Sequence, residues 1–205
     1  MVRNSDAMAR RQERAELRQD QILDAAEACF LVEGFHGASM ARIATAAKMS
    51  VGHIYQYFGS KDAIIIALCE RRFAGFEELL SASGQSAASP LSPVDAWISQ
   101  FTWWIDPIRA PLTLEIMSEA GRNPQVAKVV ERIDRRFREM MQDNLLPLAG
   151  PLPKADVAHV LEAIILLSHG MTSRITADAD ADPERIMAAF RLAVHSLLRD
   201  WAVGE

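Results

Sequence analysis

Ser39 and Ser50 stand eleven positions apart, each directly ahead of a short run of helix-forming residues. A serine at this place accepts hydrogen bonds from first-turn amides and fixes where a helix begins. The pattern therefore predicts two short helices, Met40 to Ala47 and Val51 to Tyr57, joined by a turn of about four residues around Lys48 and Met49. Ile43, Ala47, Met49, Ile54 and Phe58 have the spacing to bury the inner faces of both. The surface they need is a preceding helix, about Leu17 to Glu33, whose Ile22, Ala25, Ala26, Cys29 and Phe30 form one stripe. Gly34 is placed to cap that helix, and Phe35 to supply the apolar contact that accompanies such a cap. Three helices so arranged are a helix-turn-helix, in which the last one enters the major groove of DNA.

The outward residues of that last helix agree with a groove-entering role. Val51, Gly52, His53 and Gln56 remain after the buried positions are removed, with Tyr55 and Tyr57 at the flanks. Gly52 lets backbone approach DNA closely, Gln56 suits an adenine edge, His53 a base edge or phosphate, and Val51 a thymine methyl. The Tyr55 hydroxyl, Arg42, Lys48, Lys61 and the amides that Ser39 and Ser50 cap, beside Met40, suit phosphate, which positions without specifying. Tyr57 serves equally well as an aromatic at the edge of the core. The net charge of −5 hides a strong asymmetry. Residues 34–61 contain Arg42, Lys48 and Lys61 and no acid, and residues 1–18 carry five arginines against three acids. From Ala63 onward there are 14 basic and 19 acidic side chains. A polyanion is thus drawn to the N-terminal quarter and repelled elsewhere. Arg3, Arg10, Arg11 and Arg14 fit either a DNA-contacting arm or a solvated tail.

The run from Ser39 to Lys61 resembles the signature of the TetR (tetracycline-repressor) family of transcription regulators. It has the Ser cap, the Ile43-Ala44 pair, the Ser50-Val51-Gly52 turn, the Tyr55-to-Phe58 helix and the lysine that opens a fourth helix. Two positions depart from that signature: Lys48 stands where the family has glycine and Met49 where it has valine. Lys48 must then bear a turn conformation that glycine takes more easily. The resemblance implies a homodimer without cofactor or metal. Such a dimer binds a palindromic operator in double-stranded DNA and is released from it by a small-molecule effector, here expected to be apolar or amphipathic. A repressor is implied ahead of an activator of the same fold.

The rest of the chain reads as helix with no alternating β-rich run, about nine helices in an all-α protein. The expected division is a flexible basic arm (1–16), a helix-turn-helix domain (17–60) and a helical effector-binding and dimerisation domain (61–205). Helices are expected over Lys61 to about Leu80, Pro93 to Asp106, Pro107 to Gly121, Pro124 to Leu146, Lys154 to Thr176, and Pro183 to near Trp201. Loops are expected at Ser81 to Pro93, Gly150 to Pro153 and Asp178 to Pro183. The Lys154 to Thr176 helix is apolar on more than one face. Val157, Val160, Leu161, Ile164 and Leu167, with Phe190, Val194 and Leu197 of the last helix, are candidates for a four-helix dimer interface; burial within one protomer accounts for them equally well. Effector-site candidates are Trp97, Phe101, Trp104, Met117, His169, Met171 and Arg174, aromatic, sulfur-bearing and polar side chains that suit an adaptable pocket and also suit a core.

Other classes find little support. The five histidines form no metal-binding pair, and there is no nucleophile elbow, phosphate loop or dinucleotide fingerprint, so no catalytic activity is expected. Cys29 and Cys69 belong to no metal or redox pattern. No apolar run approaches the roughly 20 residues of a membrane span, and the arginine-rich start lacks the core of an export signal, so a cytoplasmic location is expected. A helical interaction protein without DNA binding would have no need of the acid-free stretch at residues 34–61.

Overall fold

The computed structural model describes residues 2–83, 91–148 and 154–200. Among the described residues there are nine α-helices, one 3-10 segment and no strand. They are α1 (Val2–Gly37), α2 (Met40–Ala46), α3 (Val51–Tyr57), α4 (Lys61–Ser83), α5 (Pro93–Ser99), the 3-10 segment Gln100–Ile105, α6 (Arg109–Ala120), α7 (Pro124–Leu145), α8 (Lys154–Ala177) and α9 (Pro183–Asp200). Most of the expected loop after Leu80 and the Gly150-to-Pro153 break lie outside the described residues, as does Trp201.

The serines ahead of α2 and α3 act as the sequence predicts. Ser39 Oγ accepts from the Arg42 amide and Ser50 Oγ from the His53 amide, each at 3.1 Å. Asn123 Oδ1 accepts from the Gln125 amide that begins α7. At Gly34 the backbone swings to φ 69, ψ 167, a region closed to other residues, which kinks the last turn of α1. Two elements differ from expectation. Residues 1–16 were expected as a flexible arm, yet α1 is continuous from Val2, because the Ala-, Arg-, Gln- and Glu-rich residues before Leu17 favour helix and no breaker interrupts them. The helix expected over Pro93 to Asp106 tightens to 3-10 geometry after Ser99. There the Ser99 and Thr102 hydroxyls donate to the carbonyls of Ala96 and Ser99, three residues back, in competition with the α-helical pattern.

Two hydrophobic cores organise the chain. The first joins α1, α2, α3 and the first half of α4, and runs on into α6 and α7 through Leu112, Ile116, Val126 and Val129. The second gathers the end of α4, the aromatic residues after Pro93, and α7, α8 and α9. Helix α4 contributes Ile64, Ile65 and Leu68 to the first and Phe76 and Leu80 to the second, so packing is continuous across residue 60. The arginines of α7 make cross-helix ion pairs: Arg132 with Glu70, Arg136 with Glu77 and Arg138 with Glu162.

The candidates for a dimer face need correction. Val157, Val160, Leu161, Ile164, Phe190 and Val194 are all buried within the protomer, in the second core. The most apolar stripe of each helix was consumed by packing inside one chain, where α8 touches α6, α7, α9 and the 3-10 segment. Leu197 is half-buried against the same core, and Leu167 alone of the set is exposed. A separate row faces outward: Leu166 (63 % exposed), Leu167 and Gly170 on α8, and Leu192 (69 % exposed) on α9.

Candidate functional site

Helix α3 lies on the first core through Ile54, fully buried, and Phe58, its C-cap. Ser50, Val51, Gly52, Tyr55 and Gln56 are exposed on its other side. His53 and Tyr57 are half-buried with their rings in tilted contact, centroids 5.4 Å apart, and Tyr57 packs on the core. A Cβ built on Gly52 meets nothing within 4 Å, so nothing inside the protomer requires glycine there. On α2, Ser39 and Arg42 are exposed and Met40 is partly buried against the core. The outward surface carries no carboxylate of its own. Glu33 approaches it from α1, where it accepts from Arg42 Nε at 2.6 Å.

The turn that aims α3 depends on one backbone conformation and one contact. Lys48 has φ 55, the left-handed conformation expected where glycine is the easier residue. Gln21 of α1 donates to the Ala47 carbonyl at 2.8 Å, which ties the turn to the first helix. Lys48→Gly is expected to relieve strain of roughly 1 kcal/mol, partly offset by the greater freedom of glycine in the unfolded chain. A small rise or no change in Tm, together with weaker DNA affinity, is the expected outcome in paired melting and binding experiments.

Lys61 is placed differently from the phosphate ligand expected of it. Its ammonium donates to the carbonyls of Phe35 (2.5 Å) and Ala38 (3.0 Å), with His36 at 3.4 Å, and sits 4.6 Å from the centre of the Phe35 ring. Those carbonyls are the loose end of α1, so Lys61 acts as a C-terminal cap from another helix. From α6, Glu115 Oε1 accepts from the Phe35 amide at 2.5 Å, and Glu119 pairs with His36 at 3.0 Å. Asn123 also donates to Asp62 at 2.9 Å. The Gly34-to-His36 hinge is thus gripped from α4 and from α6. The contacts of Glu115 and Glu119 with Phe35 and His36 were not legible in the sequence, because no local pattern marks a contact 80 residues away.

On another face of α6 lies a cavity of about 250 Å³. Its walls come from helical stripes: Cys69, Arg72, Phe73 and Phe76 on α4, Thr113, Ile116 and Met117 on α6, Val130, Ile133, Asp134 and Phe137 on α7, with Trp103, Trp104 and His169. Of the effector-site candidates, Trp104, Met117 and His169 line this cavity. Trp97, Phe101 and Met171 were candidates too, but all three are buried in the second core. Arg174 is exposed and paired with Asp178 at 2.7 Å, since an arginine in the last turn finds the acidic loop before it finds a pocket. The spacing i, i+3, i+4, i+7 at positions 69, 72, 73 and 76, repeated at 130, 133, 134 and 137, is the signal that could have found the cavity walls.

The cavity carries little free charge. Arg72 donates to Glu27 (3.1 Å), to the Arg109 carbonyl (2.8 Å) and to Thr113 Oγ1 (3.0 Å). Asp134 accepts from Arg138 at 2.8 Å. Burial pushes the Cys69 thiol up to about 12 and lowers the His169 imidazole below its ordinary value, so both are neutral near pH 7. What remains is an aromatic chamber with one neutral hydrogen-bonding imidazole.

Comparison with known proteins agrees with this geometry. Residues 22–68 match the description "Bacterial regulatory proteins, tetR family", and residues 106–199 match "BetI-type transcriptional repressor, C-terminal". The chain is 28 % identical over 199 residues to the HTH-type transcriptional regulator UidR of Escherichia coli K12, covering 91 % of this chain and 96 % of that one. It is 40 % identical over 68 residues to the HTH-type transcriptional repressor NicS of Pseudomonas putida, 33 % of this chain and 32 % of that one. Among solved structures, Salmonella enterica GusR superposes with a TM-score of 0.70 at 24 % identity, over 89 % of this chain and 95 % of the other, a likeness of fold.

Proposed function

The chain belongs to the tetR family of bacterial regulatory proteins, and from that premise we propose that it is a homodimeric repressor, released from a palindromic operator by a small, mostly apolar effector. Regulators of this family are DNA-binding proteins rather than enzymes, typically dimers that respond to small molecules. No described helix is long and apolar enough to cross a membrane. The observation that carries the DNA half of the reading is the exposed face of α3, free of acids and open above Gly52. Gln56, His53, Val51 and the backbone at Gly52 read base edges; Arg42, Lys48 and Tyr55 hold phosphates; Lys61 keeps the hinge in place. Gln56→Ala is expected to relax preference at one base pair of each half-site by about 1–3 kcal/mol while leaving affinity for unrelated DNA unchanged. Equal loss on all sequences in a binding selection from randomised duplexes would reverse that assignment.

The effector half follows from the cavity. A 250 Å³ aromatic chamber with a neutral imidazole suits an uncharged or weakly polar molecule with one hydrogen-bonding group near His169. Helix α6 presents Thr113, Ile116 and Met117 to that chamber and Glu115 and Glu119 to the hinge below α1. An effector that fits a shifted α6 better draws those carboxylates away and changes the aim of α3. Dimerisation is assigned to the outward row Leu166, Leu167, Gly170 and Leu192, whose leucines are exposed among the described residues. Replacing Leu166 and Leu192 together with arginine is expected to give a folded monomer by light scattering and to weaken operator binding sharply, since two half-sites are then no longer bound as one unit.

A further inference from the structure

We propose that the N-terminal part of α1 is a second DNA-contacting surface, a rigid arginine stripe that lies along the phosphate backbone next to each half-site; this rests on the operator-binding reading above. Helicity is what turns this charged segment into a surface. At about 100° per residue, Arg10, Arg11, Arg14 and Arg18 fall within about 100° of one another around α1, whereas Glu13, Glu16 and Asp20 cluster on the far side. Arg10, Arg11, Arg14 and Arg18 are all exposed.

Two contacts fix which way the stripe faces. Gln21, at the same azimuth as the arginines, donates to the Ala47 carbonyl and so points at the turn that carries Lys48 and leads into α3. Asp20, Asp24 and Glu27, on the acidic side, reach Arg71 of α4 at 3.9, 2.6 and 3.0 Å. The acids are therefore directed toward the body of the protein, and the arginines toward the side from which the reading helix is aimed. Pairing separates the two groups further. Arg71, Arg72, Arg109, Arg132, Arg136 and Arg138 each have a carboxylate within ion-pair distance, whereas none is found for Arg10, Arg11, Arg14 or Arg18 among the described residues. Uncompensated guanidinium groups, continuous with a helix-turn-helix and aligned over roughly 12 Å from Arg10 to Arg18, match a run of phosphates and carry no sequence information.

The test substitutes Arg10, Arg11 and Arg14 with glutamine, which keeps helix propensity; Arg18 is retained because it bonds Gln21 (2.7 Å), which in turn holds the turn. Affinity for an operator duplex with long flanks is measured from about 50 to 200 mM salt, with phosphate-ethylation interference on the same duplex. The slope of log affinity against log salt is expected to shrink by about 2 to 3 for each half-site, about 5 for the dimer on its operator, and affinity near 100 mM salt to fall at least about tenfold. Base preference at the half-site should not change, and the flanking phosphates whose ethylation blocks the wild type should no longer matter. A parallel Glu13→Gln, Glu16→Gln variant is expected to keep the wild-type slope and interference pattern, because those exposed acids lie on the side of α1 that carries Asp20, away from the turn. Selective wild-type binding with an unchanged slope and interference pattern in the arginine variant would overturn the inference and leave the operator reading standing. A wild type that binds no sequence selectively overturns both.

Discussion

Replacing Gly52 with glutamate is expected to abolish operator binding, at least a hundredfold, while the protein melts no earlier than the wild type. The two halves of that outcome come from different sides of one helix. Inside the protomer the position is empty: a Cβ there touches nothing within 4 Å. Glycine costs a helix about 1 kcal/mol relative to alanine, and an acid in the first turn of α3 favours the positive end of the helix dipole. Toward DNA the same side chain occupies the space where backbone must approach the groove, and it places a carboxylate against phosphates. Loss of two base contacts in each of the two half-sites, at about 1–3 kcal/mol each, totals at least about 4 kcal/mol, more than the roughly 2.8 kcal/mol of a hundredfold loss. Gly52→Ala is the milder version, more stable by about 0.5–1 kcal/mol and weaker on the operator. Tight binding by the glutamate variant, measured beside its melting curve, would remove α3 from the groove.

Phe101→Ala is expected to cost the fold about 3–5 kcal/mol, lowering Tm by roughly 6–20 °C for a chain of this length. Phe101 is 1 % exposed and meets Trp97, Trp104 and Phe190 with ring centroids 5.0, 5.5 and 4.8 Å apart. Trp104, its neighbour in that cluster, is half-buried and lines the cavity, so Trp104→Ala is expected to lose less stability and more effector affinity. Denaturant melts of the two variants, with effector titrations once a ligand is in hand, separate core from cavity. A Phe101 variant within about 1 kcal/mol of wild type would move that ring from the core to the binding site.

The contrast between these two positions explains how much the sequence discloses. Around α3 the informative signals are local. Serine caps, a turn residue forced to positive φ, a glycine and an absence of acids all lie within 25 residues, and each has one physical meaning. The C-terminal part depends on which of several apolar stripes faces which neighbour, and that is decided by helices far apart in the chain. Val157, Val160 and Ile164 look like an interface because they are apolar; the structure buries them in the protomer and leaves Leu166 and Leu192 outside. Lys61 is the intermediate case. Its position at the start of α4 was legible, but its role was not, since the carbonyls it caps belong to a hinge more than 20 residues earlier. The flexible-arm reading of residues 1–16 weighed charge and passed over helix propensity, and so missed the orientation that helicity gives those arginines.

The most direct measurement of the central claim is the affinity of the purified protein for DNA from its own upstream region, against scrambled DNA of equal length, across a salt series. Preference for the upstream duplex by at least about a thousandfold near physiological salt is expected, with protection of two half-sites related by a two-fold axis and loss of that preference in the Gly52→Glu variant. Equal affinity for both duplexes, with the same salt slope in wild type and variant, would contradict it.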